Sequence, residues 1–173
     1  MLFFCFSLIS LFPCVPILCK QDNTRIVQLN LTRNNLKGSL PRELMLLTDL
    51  VVLDVDHNKL TGSIPNEYAV LTDLRYLYGK HNQLTGQITP DLIRNMTQLE
   101  ELQLSVNMIQ GPLPTELNLL TKLRVLFLDY NPLSTTLPPL PTSLGTLPRW
   151  KCLVFEVTCF DSNPDLDSSS SIC

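Results

Sequence analysis

No cysteine falls between residues 20 and 151 of this 173-residue chain. All six, Cys5, Cys14, Cys19, Cys152, Cys159 and Cys173, lie towards the ends. The middle therefore cannot be a disulfide-knit domain, and it holds no zinc ribbon. There is no C-x-x-C, and the two histidines are remote from the cysteines. Positive charge is also short. Thirteen Lys and Arg stand against sixteen Asp and Glu, for a net charge of −3, so phosphates find no basic surface and nucleic acid is not an expected partner. Apolar runs stop short of the roughly 20 residues that span a bilayer. The longest, Leu2 to Leu18, is broken by Pro13 and Pro16. No nucleophile elbow, Gly-rich phosphate loop or cysteine with a recognisable general base occurs. No catalytic residue and no cofactor is expected, and the chain reads as a binder.

Two features are abundant. Thirteen prolines rule out long helices and require turns along the whole chain. The second feature is self-similarity. Asn34, Asn58, Asn82, Asn107 and Asn131 are spaced by 24, 24, 25 and 24 residues. Around Asn58 the unit reads Leu50, Leu53, Val55, Asn58, Leu60, Gly62, Ile64, Pro65, Tyr68 and Leu71. The first unit repeats it as Ile26, Leu29, Leu31, Asn34, Leu36, Gly38, Leu40, Pro41, Leu44 and Leu47. The fourth has Leu99, Leu102, Leu104, Asn107, Ile109, Gly111, Leu113, Pro114, Leu117 and Leu120.

Each unit's apolar-x-apolar centre has period two, which predicts a short strand with alternate residues inward. One unit cannot bury its apolar face alone, whereas a stack buries a continuous core. The asparagine follows the strand where the chain turns inward, and its amide can pair backbone groups that the bend would orphan. Gly-x-Ile-Pro then lets the chain turn and extend.

These residues resemble the plant-type leucine-rich repeat, Leu-x-x-Leu-x-x-Leu-x-Leu-x-x-Asn-x-Leu-x-Gly-x-Ile-Pro, from residue 24 to about 140. The resemblance implies an α/β leucine-rich-repeat solenoid. A short parallel β-sheet would line its concave face, with short 3-10 or loop segments on its convex face. It further implies ligand recognition of the kind performed by extracellular receptors, receptor-like kinases and secreted inhibitors. The expected organisation is a signal peptide or apolar N-terminal segment at 1–19 and five repeats at 20–143. A degenerate sixth repeat and cap follow at 144–160, then an acidic, serine-rich disordered tail at 161–173. A cut after Ser10 or after Cys19 is conceivable. Cysteines then sit only where a repeat stack ends. Cys14–Cys19 and Cys152–Cys159 are the candidate disulfides, with Cys173 left over or competing. The pattern departs at three places: Gly79 replaces a strand leucine, Thr89 is inserted before Pro90, and Thr135 replaces a glycine. Gly79 should leave its layer short of volume, either as a void or by collapse of its neighbours, so adding a methyl there is expected to be neutral or mildly stabilising.

The repeat phase also sets which strand residues leave the concave sheet. The ligand-binding candidates are Asp54, Asp56, His57, Tyr76, Tyr78, Lys80, His81, Gln103, Phe127, Asp129 and Tyr130, with Tyr78 central and Asp56 and Lys80 at the rim. Four large aromatics on one face suit a small hot spot. His57 and His81 should stand roughly 5 Å apart on neighbouring strands. With Asp54 and Asp56 they are weighed as a metal site or a pH-sensitive patch, but two solvated histidines is the preferred reading and no metal is assigned. Two sequons, at Asn95 and Asn30, are candidate glycosylation sites, Asn95 on the convex side and Asn30 on the concave one.

The expected function is extracellular recognition of a protein, peptide or polysaccharide, in a secreted or cell-surface chain. Six strands span only about 24 Å, less than a standard interface of ~800 Å² per partner requires. A co-receptor sharing the contact, or a structural or co-receptor ectodomain fragment of a larger receptor-like kinase, is therefore the main alternative. An intracellular adaptor is a third. Membrane association is expected only if the N-terminal segment is uncleaved or the chain is a receptor fragment.

Overall fold

Alternation decides the strands, and constant spacing stacks them. The structure is a computed structural model that describes residues 25–134 and the backbone of residues 17–19. In chain order its strands are β1 (Ile17–Cys19), β2 (Ile26–Asn30), β3 (Lys37–Ser39), β4 (Val52–Asp54), β5 (Lys59–Gly62), β6 (Tyr76–Tyr78), β7 (Gln83–Leu84), β8 (Glu101–Gln103) and β9 (Val125–Phe127). Short 3-10 turns cover Arg42–Leu46, Asn66–Val70 and Thr115–Leu119, and one helix, α1, covers Pro90–Arg94.

Strands β2, β4, β6, β8 and β9 form a parallel sheet in strict repeat register, with Leu29 beside Leu53, then Leu77, Leu102 and Leu126. All five leucines are buried. Strand β1 adds to the outer edge of β2, antiparallel. It falls within the segment read as a leader; a cut after Cys19 would remove it and a cut after Ser10 would keep it. The candidate disulfide side chains, Thr135, the sixth repeat and the tail lie outside the described residues.

A second sheet, β3-β5-β7, is also parallel. The sequence predicts a turn and an extended stretch there but no sheet, because these residues carry no apolar alternation. Repetition builds this sheet instead. Each unit lays its Leu-x-Gly stretch beside the next, and Lys59 N–H reaches Leu36 O at 2.8 Å and Thr85 N–H reaches Gly62 O at 2.9 Å. Gly86 and Gly111 end their stretches at φ +77° and +78°. A Cβ at Gly111 would stand 2.6 Å from Nε2 of Gln87, an exposed flexible side chain that can swing aside, so it is the backbone shape that favours glycine there.

On the convex side, Pro41, Pro65 and Pro114 each hold extended backbone just before a 3-10 turn. The inserted Thr89 changes this in the third unit. Its Oγ1 accepts the Leu92 N–H at 3.2 Å and Pro90 takes the first helical position, so α-helix replaces 3-10. The longer turn buries Ile93 beside Leu92. In the second unit Tyr68 takes the place of a leucine. It is wholly buried, and its hydroxyl donates to Pro41 O at 2.9 Å.

The asparagines tie the units together. Asn82 Nδ2 donates to Val55 O at 2.9 Å, Gly79 O at 3.3 Å and Lys80 O at 3.2 Å, while its Oδ1 accepts Leu60 N–H at 3.0 Å. Asn58, Asn107 and Asn131 repeat this pattern, each reaching a carbonyl in the unit before. To aim each amide inward, the preceding residue turns left-handed. Arg33, His57, His81, Val106 and Tyr130 have φ of 58°, 54°, 53°, 58° and 56°. For β-branched Val106 this is a strained conformation.

At Gly79 the layer has collapsed. A Cβ there would meet Leu104 Cδ2 at 3.0 Å and Leu84 Cδ1 at 3.4 Å. The space that the sequence left open is filled by these side chains.

Two stability outcomes follow from this packing. Asn82→Ala leaves the Leu60 N–H without its partner and removes one of two donors from each of Val55 O, Gly79 O and Lys80 O, and should lower unfolding free energy by about 1–3 kcal/mol in denaturant melts. A loss below about 1 kcal/mol would mean that water replaces the ladder. Gly79→Ala should be close to neutral, because the entropy gain in the unfolded chain offsets the small displacement of Leu104. Gly79→Val, which restores the repeat's branched residue, should instead cost about 1–3 kcal/mol through overpacking. Stabilisation by Gly79→Val would reveal unfilled volume.

Candidate functional site: the concave sheet

Each parallel strand buries its middle residue and turns its neighbours outward, as in Tyr76–Leu77–Tyr78 and Glu101–Leu102–Gln103. The outward residues are only half-buried, because side chains on strands about 4.8 Å apart cover one another. Tyr78 is held rather than free. Its hydroxyl donates to Glu101 Oε2 at 2.9 Å, and Gln103 Nε2 donates to the same oxygen at 2.8 Å. Tyr76 donates to Glu100 Oε2 at 3.2 Å. The two tyrosine rings lie 6.2 Å apart, tilted by 40°. Lys80 Nζ donates to Gln103 Oε1 at 2.7 Å. The centre is thus one hydrogen-bonded network, Tyr78–Glu101–Gln103–Lys80. Burial, then the Glu101 carboxylate, pushes the Tyr78 phenol well above the usual tyrosine range.

Asp56 is a correction. The phase assigned it to the exposed rim, but it is 8% exposed. Its Oδ1 accepts the Lys80 N–H at 2.6 Å and its Oδ2 lies 3.5 Å from Lys80 Nζ. The chain is already curling towards the asparagine turn there, so the side chain folds back on the next strand. Burial raises the Asp56 carboxyl above its ordinary range, with both Lys80 contacts pulling the other way. Asp129 is similarly engaged, with Ser105 Oγ. Asp54 accepts the Asp56 N–H at 3.0 Å. Phe127 is half-buried on β9 beside Gln103, and Tyr130 is exposed.

His57 and His81 meet as expected. Their rings stack with centroids 4.4 Å apart and planes 13° from parallel. Among the described residues no group of three or more His, Cys, Asp or Glu is placed to hold a metal ion.

The sequence reading missed an ionic row at the start of the strands. Arg124 Nη2 stands 2.7 Å from Glu100 Oε2, and Arg75 Nη1 stands 3.6 Å from Glu100 Oε1. The signal was present: Arg75, Glu100 and Arg124 occupy one phase of the repeat with alternating charge. Opposite the concave face is a shallow hollow lined by Arg42, Glu43, Met45, Leu46 and Glu67. Asn95 is exposed at the end of α1, and Asn30 is exposed at the end of β2 with its Oδ1 accepting the Thr32 N–H at 3.0 Å.

Residues 24–171 match the family model for a leucine-rich repeat region. The chain belongs to the leucine-rich-repeat family. Solved structures place it with the plant type, as an ectodomain-like fold of plant receptor kinases. It is similar to Pollen Receptor Kinase 3 (TM-score 0.67, 28% identity, covering 73% of this chain and 61% of that one). It is similar to the BIR2 ectodomain from Arabidopsis thaliana (TM-score 0.67, 31% identity, 70% and 64%). It also resembles the Arabidopsis receptor kinase HAESA, solved in complex with the peptide hormone IDA and the co-receptor SERK1 (TM-score 0.59, 34% identity, 69% and 20%). The chain thus spans less than two thirds of the length of these structures. No curated protein matches it.

Alkaline titration followed by phenolate absorbance should contain a late component, because ionising Tyr78 would set a second negative charge against Glu101 in a partly buried site. Tyr78→Phe should diminish that component. An unchanged late phase would mean that the hydroxyl is not held as described.

Proposed function

We propose that this repeat stack recognises a peptide or protein segment outside the cell, across its concave sheet and centred on Tyr78, and that it works by binding rather than catalysis. The observation carrying this reading is the Tyr76–Tyr78 pair, ringed by polar groups that already hold one another. Side chains fixed before binding lose little entropy when a ligand arrives, and aromatic anchors inside a polar surround supply most of an interface's energy. The peptide complex of HAESA supports the ligand class by analogy. The described sheet is narrow, so a second receptor chain sharing the ligand fits this reading.

Secretion or display at the cell surface goes with it. The apolar N-terminal segment would act as the leader, cut after Ser10 so that Cys14–Cys19 is kept as one cap disulfide, with Cys152–Cys159 as the other and Asn95 as the principal glycan site. A glycan on Asn95 projects from the end of α1, away from the sheet, whereas one on Asn30 would crowd the first strand.

The test is expression of the full chain in a eukaryotic host. Secreted protein whose band shifts on N-glycosidase treatment, and stops shifting in Asn95→Gln, is expected. Material retained in the cytosol would sink the extracellular reading. Against a peptide or protein partner captured by the secreted chain, Tyr78→Ala should cost more than about 1 kcal/mol. The same change should cost folding less than that, through the lost Glu101 bond alone. Arg42→Ala, in the convex hollow, should leave binding alone. Reversal of these two results would move the site to the convex face.

A further inference from the structure

The concave face neutralises its own charges almost everywhere. Arg75 and Arg124 face Glu100, and Lys80 faces Asp56 and Gln103. Asp129 takes the Ser105 hydroxyl, Asp54 takes a backbone N–H, and Glu101 takes Tyr78 and Gln103. Three residues stand apart. Among the described residues, Arg33, His57 and His81 are the exposed cationic or imidazole side chains of this face that donate to no side chain or backbone oxygen; the two histidine rings stack on each other. They are one row, in the left-handed position before each asparagine. Their backbone N–H groups are pinned to the next strand, Arg33 to Asp56 O at 3.0 Å, His57 to Lys80 O at 2.8 Å and His81 to Ser105 O at 3.0 Å. The row continues as Val106 and the exposed aromatic Tyr130, which carry no charge.

We infer that this row reads an extended peptide that is acidic at one end and apolar at the other, with the acidic end over Arg33, His57 and His81. The inference rests on the concave-face reading above and adds the ligand's charge and direction. Five strands at about 4.8 Å spacing make a row roughly 19 Å long, which an extended segment of about six residues would cover. Carboxylates laid across the first three positions accept from the Arg33 fork and from a ring N–H of each histidine. The carboxylates already in the sheet do not compete for those donors, since each has a partner. A polyuronate, charged on every sugar, would leave Val106 and Tyr130 facing charge, so the two-ended row favours peptide over acidic polysaccharide. Since each backbone in the row is held by the asparagine ladder, the donors keep their spacing without a ligand.

The experiment uses the full secreted chain against a displayed random hexapeptide library, with polygalacturonate as a second probe. Selected peptides should carry Asp or Glu at one end and apolar residues at the other. Their affinity should fall as salt rises. Arg33→Gln, His57→Asn and His81→Asn combined should lower that affinity by about tenfold or more and erase the acidic bias in a repeat selection. Asparagine tolerates the left-handed backbone, so circular dichroism and the denaturant midpoint should not change, and each single variant provides a check if the triple variant folds poorly. Peptides that depend on Tyr78 but lack acidic bias would overturn the row and leave concave-face binding standing. No selected peptide at all, or polygalacturonate bound while peptides are ignored, would overturn both.

Discussion

The inner units of this solenoid each depend on one buried amide, that of Asn58, Asn82 or Asn107. When a chain leaves a strand and turns into the core, several carbonyls and N–H groups lose water without gaining a ladder partner. The asparagine meets that need with both ends of its side chain. Its NH₂ spans carbonyls of its own unit and of the unit before, and its oxygen takes an N–H from the preceding unit. An aspartate has no donor to offer, and a glutamine is one carbon too long for the same turn. The bond across units is also what makes the stack a stack: leucine layers would tolerate small slips, whereas a ladder of directional hydrogen bonds does not.

Much of the surface chemistry follows from that constraint. To point the amide inward, the residue before it adopts positive φ, and its own side chain is turned out to solvent. Five such residues then stand in a row at strand spacing. The same curl brings Asp56 and Ser105 under cover, so a column that alternation would call outward becomes part of the framework. The concave face is consequently divided. Its strand ends are bound into the backbone, its middle holds a tyrosine pair wired to glutamate and glutamine, and its starts carry an arginine–glutamate row. Rigidity at the backbone and pairing among the side chains act together, because a side chain can hold its neighbour on the next strand only if both strands keep their register.

The third unit shows how tolerant the plan is of local change. One added residue, Thr89, converts a 3-10 turn to α-helix without disturbing the register of β6 with β8. A missing side chain at Gly79 is absorbed by Leu84 and Leu104. Neither departure breaks the stack, because the asparagine bonds on either side, from Asn82 and Asn107, remain in place. Family membership and the register of each strand were legible in the sequence because a 24-residue period is a long and redundant signal. Tyr78 and its column were legible for the same reason. Glu100, Arg75 and Arg124 were equally periodic, but they precede the alternating core that defines the strand and so escaped the phase argument.

What the sequence determined by itself was the address of each residue: inward or outward, which strand, which neighbour one unit away. Periodicity carries that information because each repeat is one structural step. What only the tertiary structure decided was occupancy. Whether Asp56 meets solvent or Lys80, whether Gly79 leaves a hole, whether exposed Leu-x-Gly segments pair into a second sheet, and which cations remain without a carboxylate all depend on side chains 22 to 25 residues away reaching one another through space. A repeat pattern fixes where those partners stand, but the choice among them is made by distances of a few tenths of an ångström and by which polar group would otherwise be buried unpaired.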